Sequence, residues 1–499
     1  MKPFQSLIFL LSVAGFLLVI VFIFPRDGIK LGESLKLQYP NIEELLGDNS
    51  ANKSVDSLIS SQLALLDEVN EEPSVYVFPD SVKSLLDIPI KLSTFHIDTL
   101  KTKIQKIEFA NNNKTLIHRF FKRISNPKGV IRVLHYGDSQ LEGDRISSFL
   151  RNRLQKRFGG YGVGLVSPKP LVKAFSINQN YSENWLRFPI FGIKEGDTYH
   201  KRYGALGVYC RYAPNIPDSI KLDSTLYQAY NSEIINAEIS FKKSNSSFLK
   251  DRKLKNFSIY YANGSEYVLT EIYENDKLLF AKYLNTNTNF SKLDFHFPNT
   301  TSNFTVKFSG KDSPDFYAMS LDAERGVVVD NIPMRGSSGT YFNKMNLSIL
   351  KKFYDNIDLG MILLEFGGNV IPFIESEQGV KNYERWFYSQ IRTLKKLKPN
   401  VPIIVMGVAD MSKKEKDKYI SYPYIEPVRD AMKRAAFKAG DGYWDMYEAM
   451  GGENSMPEWV NSKPKLATND YTHYTPRGAK MIGNMFFNAL MYEYQLYKD

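Results

Sequence analysis

The run VIRVLHYGDSQLEGDR, Val130 to Arg145, decides how the rest of the chain is read. Val130 to Leu134 is apolar and β-branched, broken once by Arg132, which is the composition of a buried strand. Gly137-Asp138-Ser139 follows without a spacer, and apolar residues then recur at helical spacing from Ile146 to Phe158. A strand, a tight glycine turn, a small polar residue and a helix lift one side chain out at the C-terminal edge of a sheet. In open α/β sheets ligands sit at that edge. Ser139 is therefore a candidate nucleophile. The same residues also suit plain capping of the helix by Asp138 or Ser139, and this stretch alone does not separate the two.

Downstream, Gly159 to Gly164 is glycine-rich. It follows a helix and lacks a Lys-Ser/Thr ending, so the phosphate-loop reading fails, and a tight loop near the cleft is expected. Over 172–325 the character changes. Short alternating runs recur at Ala237–Phe241, Phe257–Tyr261, Tyr267–Ile272, Lys277–Tyr283, Lys292–Phe297 and Asn303–Phe308, separated by Asn, Gly, Ser and Asp. They predict a β-sandwich or jelly roll. Its aromatics, among them Trp185, Tyr260, Tyr261 and Tyr267, either fill a core or offer a platform for sugar rings. From Gly326 the strand–helix alternation resumes: strands at Gly326–Val329, Met361–Leu364, Val401–Met406 and Tyr443–Trp444, helices at Val380–Leu397, Ile425–Lys438 and Arg477–Tyr494. Such alternation predicts a parallel sheet with helices on both faces. The β-rich block is then an insertion between the first and second strands of one α/β domain.

Upstream, Ser6 to Phe24 is an uncharged apolar run of bilayer length. It fits a cleavable signal peptide or an uncleaved anchor; the lack of small residues at a cleavage site before Pro25-Arg26 favours an anchor over residues 1–25. The polar, proline-interrupted stretch 26–114 reads as a stalk with local helices, at Ser57–Val69 and Ile97–Phe109. A chain of 499 residues is too long for one ordinary core. Its formal net charge of +10 is scattered, which suits a polyanionic or cell-envelope setting and not a nucleic-acid footprint. The single cysteine, Cys210, excludes an intrachain disulfide and any cysteine-based metal cluster. The histidines outside the candidate site, His96, His118, His200 and His296, show no metal-ligand spacing.

Each strand of the α/β part ends in a polar or glycine-rich signature: Gly137-Asp138-Ser139-Gln140, Asp330 to Gly339, Glu365-Phe366-Gly367-Gly368-Asn369 and, before the last helix, Asp470-Tyr471-Thr472-His473. The strand-end rule makes these loops converge on one crevice. Acyl transfer through a serine needs a hydroxyl, a base, an acid to orient the base, and donors for the oxyanion. Ser139 supplies the hydroxyl and a backbone N–H, His473 the base and Asp470 the acid. Gly336 supplies an unobstructed backbone N–H and Asn369 an amide. Asp138 reads as shaping the turn and His135 as a packed histidine. Glu142, Asp144 and Arg145 stay open between a support network and a substrate subsite.

These four blocks, in this order, resemble the SGNH (GDSL-type) hydrolase family. The resemblance implies a flavodoxin-like three-layer α/β/α hydrolase domain over 115–171 and 326–499, interrupted by the β insertion at 172–325. It implies Ser139, His473 and Asp470 as the catalytic residues and Ser139, Gly336 and Asn369 as the oxyanion hole, with no cofactor and no metal. The architecture is also similar to bacterial envelope esterases of this family that remove O-acetyl groups from peptidoglycan or other polysaccharides. That implies an acetylated glycan as substrate, membrane attachment through the N-terminal helix, an extracytoplasmic catalytic domain and no nucleic-acid partner. An acyltransferase using a sugar hydroxyl in place of water, and a non-catalytic glycan-binding protein on the same fold, are the alternatives. Two departures stand out: Gln140 replaces the Leu of the eponymous motif, and Val370 follows Asn369 where many members have Asp, so support for that loop must come from elsewhere.

Overall fold

A parallel strand covered by helices on both sides has to be apolar on both faces. Val327 to Val329, Ile362 to Leu364 and Ile403 to Val405 are such runs, and all nine residues are buried. In the computed structural model, which describes residues 29–30, 36–37, 104–196, 200–213 and 233–499, they lie in one six-stranded sheet. Its order is Gly326–Pro333, Val130–Gly137, Leu359–Glu365, Ile403–Met406, Gly442–Trp444, Ile107–Phe109. The first five strands run parallel. Numbered by position in the chain they read 2-1-3-4-5, the flavodoxin-like order, whose ligand crevice opens between strands 1 and 3. Those are Val130–Gly137 and Leu359–Glu365, the strands that end in Ser139 and Asn369. Helices Arg145–Phe158 and Pro476–Lys498 pack together, as do Glu377–Leu397 and Ile425–Lys438. Right-handed crossovers running in opposite directions along the sheet, from strand 1 to strand 2 and from strand 3 through strand 4 to strand 5, put the two pairs on opposite faces.

The chain divides into two units, Met1–Ser61 and Gln62–Asp499. Within the first, Ile29–Lys30 pairs antiparallel with Lys36–Leu37. The apolar run Ser6–Phe24 and the expected helix at Ser57–Val69 lie outside the described residues. No helix among the described residues is long and apolar enough to cross a membrane.

Two expectations need correction. Ile107–Phe109 is not helical stalk; it is the antiparallel edge strand of the sheet, paired with Gly442–Trp444. Ile107 is buried, and Trp444 Nε1 donates to the Gln105 carbonyl at 3.0 Å. The open edge of a three-residue strand supplies ladder partners that a free helix would forgo. The glycine cluster after Phe158 does not lie near the cleft. A helix that follows a parallel strand returns to the opposite end of the sheet, and there Val327 N–H donates to the Gly159 carbonyl at 3.0 Å. Gly326 takes φ +129, and a Cβ on it would come within 2.4 Å of the Gly160 Cα, so the two backbones meet only because both are glycine.

Between these glycines the chain builds two antiparallel sheets. One runs Ser291–Thr301, Leu254–Ala262, Asp315–Asp322, Val208–Arg211, Leu186–Pro189, with Gly164–Val166 also on Asp315–Asp322. The other runs Lys277–Tyr283, Val268–Glu274, Asn303–Gly310, Ile235–Lys243, Ile177–Tyr181. Antiparallel pairing thus begins at Gly164, ahead of the boundary at 172. Rings from the two sheets interlock: Trp185 meets Phe308 and Phe316 edge-on, and Phe257 meets Phe304. Trp185, Tyr260 and Tyr261 are core residues and offer no sugar platform; of the aromatics singled out, only Tyr267 is exposed.

Two buried ion clusters join the layers. Arg132 in strand 1 bonds Asp330 at 2.8 Å and also Asp322 at the end of the insertion. Arg151 bonds Asp144 at 2.5 Å and Asp251 of the insertion at 2.9 Å.

Candidate active site

Ser139 begins a 3₁₀ turn, Ser139–Asp144, directly after the first strand. Asp138 caps that turn, its Oδ1 accepting the Gln140 N–H at 3.0 Å. Capping therefore falls to Asp138 and not to Ser139. Asp138 satisfies the turn, and the Ser139 side chain is left to face outward.

Ser139 Oγ lies 2.8 Å from His473 Nε2, and His473 Nδ1 lies 2.7 Å from Asp470 Oδ2. A carboxylate only accepts, so Nδ1 carries the proton and Nε2 presents its lone pair to the Ser139 hydroxyl. The other Asp470 oxygen accepts the backbone N–H groups of Thr472 and His473, each at 3.0 Å, and the Thr468 hydroxyl at 2.6 Å. Tyr471 turns the loop back at φ +56. Partial burial works against the Asp470 charge. The donors from His473, Thr468 and Thr472 outweigh it and hold the carboxyl down at about 2.

Asn369 stands past the end of Leu359–Glu365, and its Nδ2 donates to Asp138 Oδ2 at 3.0 Å and to the Ser337 carbonyl at 3.2 Å. This is the support that Val370 does not give. An oxyanion arriving here has to share or take over one of these amide hydrogens. The Ser337 carbonyl also ties the Gly336 loop to Asn369, while Met334 N–H donates to the Gly137 carbonyl at 2.8 Å. Gly336 itself takes φ +75. Among the described residues, no protein acceptor takes the backbone N–H of Ser139 or of Gly336.

Asp138 thus holds the Ser139 turn and Asn369 with its two oxygens. Burial raises its carboxyl to about 7, with the nearby Glu365 charge adding to the rise and the Gln140 and Asn369 donors opposing it. His135 packs beneath, fully buried, with Nε2 2.9 Å from Glu365 and Nδ1 3.0 Å from Ser147 Oγ. The crevice above encloses about 280 Å³ and is walled by Phe373, Met411 and Tyr422 as well as by Ser139, Asn369 and His473. Phe373 is 81% exposed at its rim. No group of three or more His, Cys, Asp and Glu side chains that could hold a metal ion occurs among the described residues.

The open trio is bonded within the protein, as a support network would be. Glu142 forms a two-point ion pair with Arg335, at 2.5 and 2.7 Å. Asp144 pairs with Arg151. Arg145 donates to the carbonyls of Glu142, Ser139 and Tyr474 at 3.0, 2.9 and 2.8 Å. Sequence reasoning missed two contributors. Thr468 bonds Asp470, as above. Gln140 donates from Nε2 to the Thr472 carbonyl at 2.7 Å and accepts the Tyr474 N–H at 3.3 Å. The only available signal was the departure from Leu at 140.

No model of a known protein family matches the chain, and no curated protein does. Solved structures do. A peptidoglycan O-acetylesterase superimposes with a TM-score of 0.60 at 16% identity, over 79% of this chain and 99% of that one. A family two carbohydrate esterase from Cellvibrio japonicus gives 0.24 at 10% identity, over 53% and 92%. A putative GDSL-like lipase from Bacteroides ovatus gives 0.24 at 12%, over 62% and 96%. At such identities the likeness to the first speaks for the fold.

Proposed function

We propose that this chain, whose fold is that of the SGNH/GDSL-type hydrolases, is a serine esterase that removes O-acetyl groups from a cell-envelope glycan. One observation carries the reading: the continuous line from Ser139 Oγ to His473 Nε2 at 2.8 Å and from His473 Nδ1 to Asp470 at 2.7 Å. His473 takes the Ser139 proton as Oγ attacks the acetyl carbonyl. The Ser139 and Gly336 N–H groups and the Asn369 amide receive the oxyanion, each such donor being worth roughly 10²–10³ in rate. His473 then returns the proton to the departing sugar hydroxyl. A water deprotonated by His473 attacks the acyl-enzyme, and acetate leaves. Asp470 keeps the imidazole in the working tautomer throughout. No cofactor enters the sequence of steps. The substrate class is supported by the likeness to the peptidoglycan O-acetylesterase over most of both chains. The apolar run Ser6–Phe24 would tether the enzyme by its N-terminus with its crevice outside the cytoplasm.

The test is acetate release from p-nitrophenyl acetate and from O-acetylated peptidoglycan, wild type against Ser139→Ala. A loss of about 10³-fold or more is expected in the variant. Equal rates would overturn the reading. Acetylated acceptor sugars appearing without matching acetate would convert it to an acyltransferase.

A further inference from the structure

We infer that Gln140 and Arg145 form a clasp that fixes His473 against Ser139, so that both are positioning residues for the base. The inference rests on His473 acting as base toward Ser139. His473 has no regular element of its own. It lies in the short loop closed by the isolated Ala467–Tyr474 bridge, just ahead of the helix that starts at Pro476. That loop is pinned internally, by Asp470 and by Thr468, whose N–H donates to the His473 carbonyl at 2.8 Å. From outside, Ser412 N–H donates to the Tyr471 carbonyl at 3.0 Å and the Tyr419 ring stacks on Tyr471; none of these pins reaches the nucleophile turn.

Two side chains, one on the nucleophile turn and one on the first residue of the helix after it, close that gap. The planar amide of Gln140 reaches the backbone on either side of His473, giving a hydrogen to the Thr472 carbonyl and taking one from Tyr474 N–H. The guanidinium of Arg145 joins the Ser139 carbonyl to the Tyr474 carbonyl. Every tie therefore ends on Ser139 itself or within one residue of His473. The Leu of the eponymous motif has neither donor nor acceptor and could make no such bracket. The need is steep, because a reacting pair displaced by about 1 Å loses on the order of 10²-fold in rate.

The experiment measures kcat and KM of the full chain on p-nitrophenyl acetate for Gln140→Met, which keeps the side chain's length, in the wild-type and His473→Ala backgrounds, with Tm recorded for each. We expect Gln140→Met to lower kcat about 10- to 100-fold with KM within about twofold, and to have no further effect once His473 is gone, since residues acting through one another are non-additive. The inference is overturned by wild-type kcat in Gln140→Met, or by an equal fold loss in both backgrounds. Wild-type turnover in His473→Ala would instead remove the base reading beneath it. If Gln140→Met fails to fold, Arg145→Lys carries the same comparison, because an ammonium cannot span both carbonyls.

Discussion

Asp138 does opposing things for stability and for chemistry. Its raised carboxyl means the folded state resists the ionised form. The stability it allows is greatest below the ordinary carboxylate value of 3.8 and declines as pH rises from there to about 7. The shift corresponds to roughly 4 kcal/mol. Asp138→Asn should therefore melt higher than wild type at pH 8, with a gap that narrows toward pH 4, when melting is followed across that range. The same substitution turns an amide N–H₂ or a single carbonyl toward Asn369, so turnover should fall at least 10-fold with the fold intact. Asp470 has the opposite sign: its lowered carboxyl contributes stability above about pH 4 that is lost as pH falls toward 2. Asp470→Asn should cut kcat by about 10²–10⁴ by offering the wrong partner to Nδ1, while Ser139→Ala in the same background costs little more. Steady-state kinetics of the single and double variants checks this. Ser139, His473 and Asp470 were legible because their chemistry resides in the side-chain type and in a three-residue spacing. The parts played by Gln140 and Thr468 were not, and that of Arg145 stayed open, because their partners are mostly backbone carbonyls and N–H groups, which every residue carries alike.

Among elements, the short continuous apolar runs Val327–Val329, Ile362–Leu364 and Ile403–Val405 announced the parallel sheet, since both of its faces are covered. Ile107–Phe109 did not announce itself. Three residues carry no period, and what makes them a strand is the bare edge of Gly442–Trp444, some 330 positions away. Stability distinguishes an edge strand from a stalk. Ile107→Ala should cost about 2–5 kcal/mol in urea denaturation, the range for truncating a buried isoleucine, whereas a residue on a detached stalk would cost nothing. The glycine cluster was misplaced for a topological reason: composition marks a tight loop, but only the direction of the preceding helix says at which end of the sheet it falls.

At the scale of the molecule, insertion and parallel sheet share charges that neither could bury alone. Arg132→Met would leave Asp322 and Asp330 facing one another in a dry junction, and we expect a loss of about 3–5 kcal/mol by thermal or chemical unfolding. The contact of Gly160 with Gly326 bears on how the chain finds its fold. Strands 1 and 2 of the parallel sheet pair directly, yet closing a floppy loop of more than 160 residues between those glycines costs on the order of 4–5 kcal/mol in chain entropy. A sandwich that forms first brings its own ends within about one peptide's length and removes most of that cost before strand 2 arrives. The insertion then acts as a folding tether: Phe304→Leu in its core should slow refolding of the whole chain, with a φ-value above about 0.5. Stopped-flow refolding would show it, and unaltered refolding with faster unfolding would place the nucleus in the parallel sheet instead.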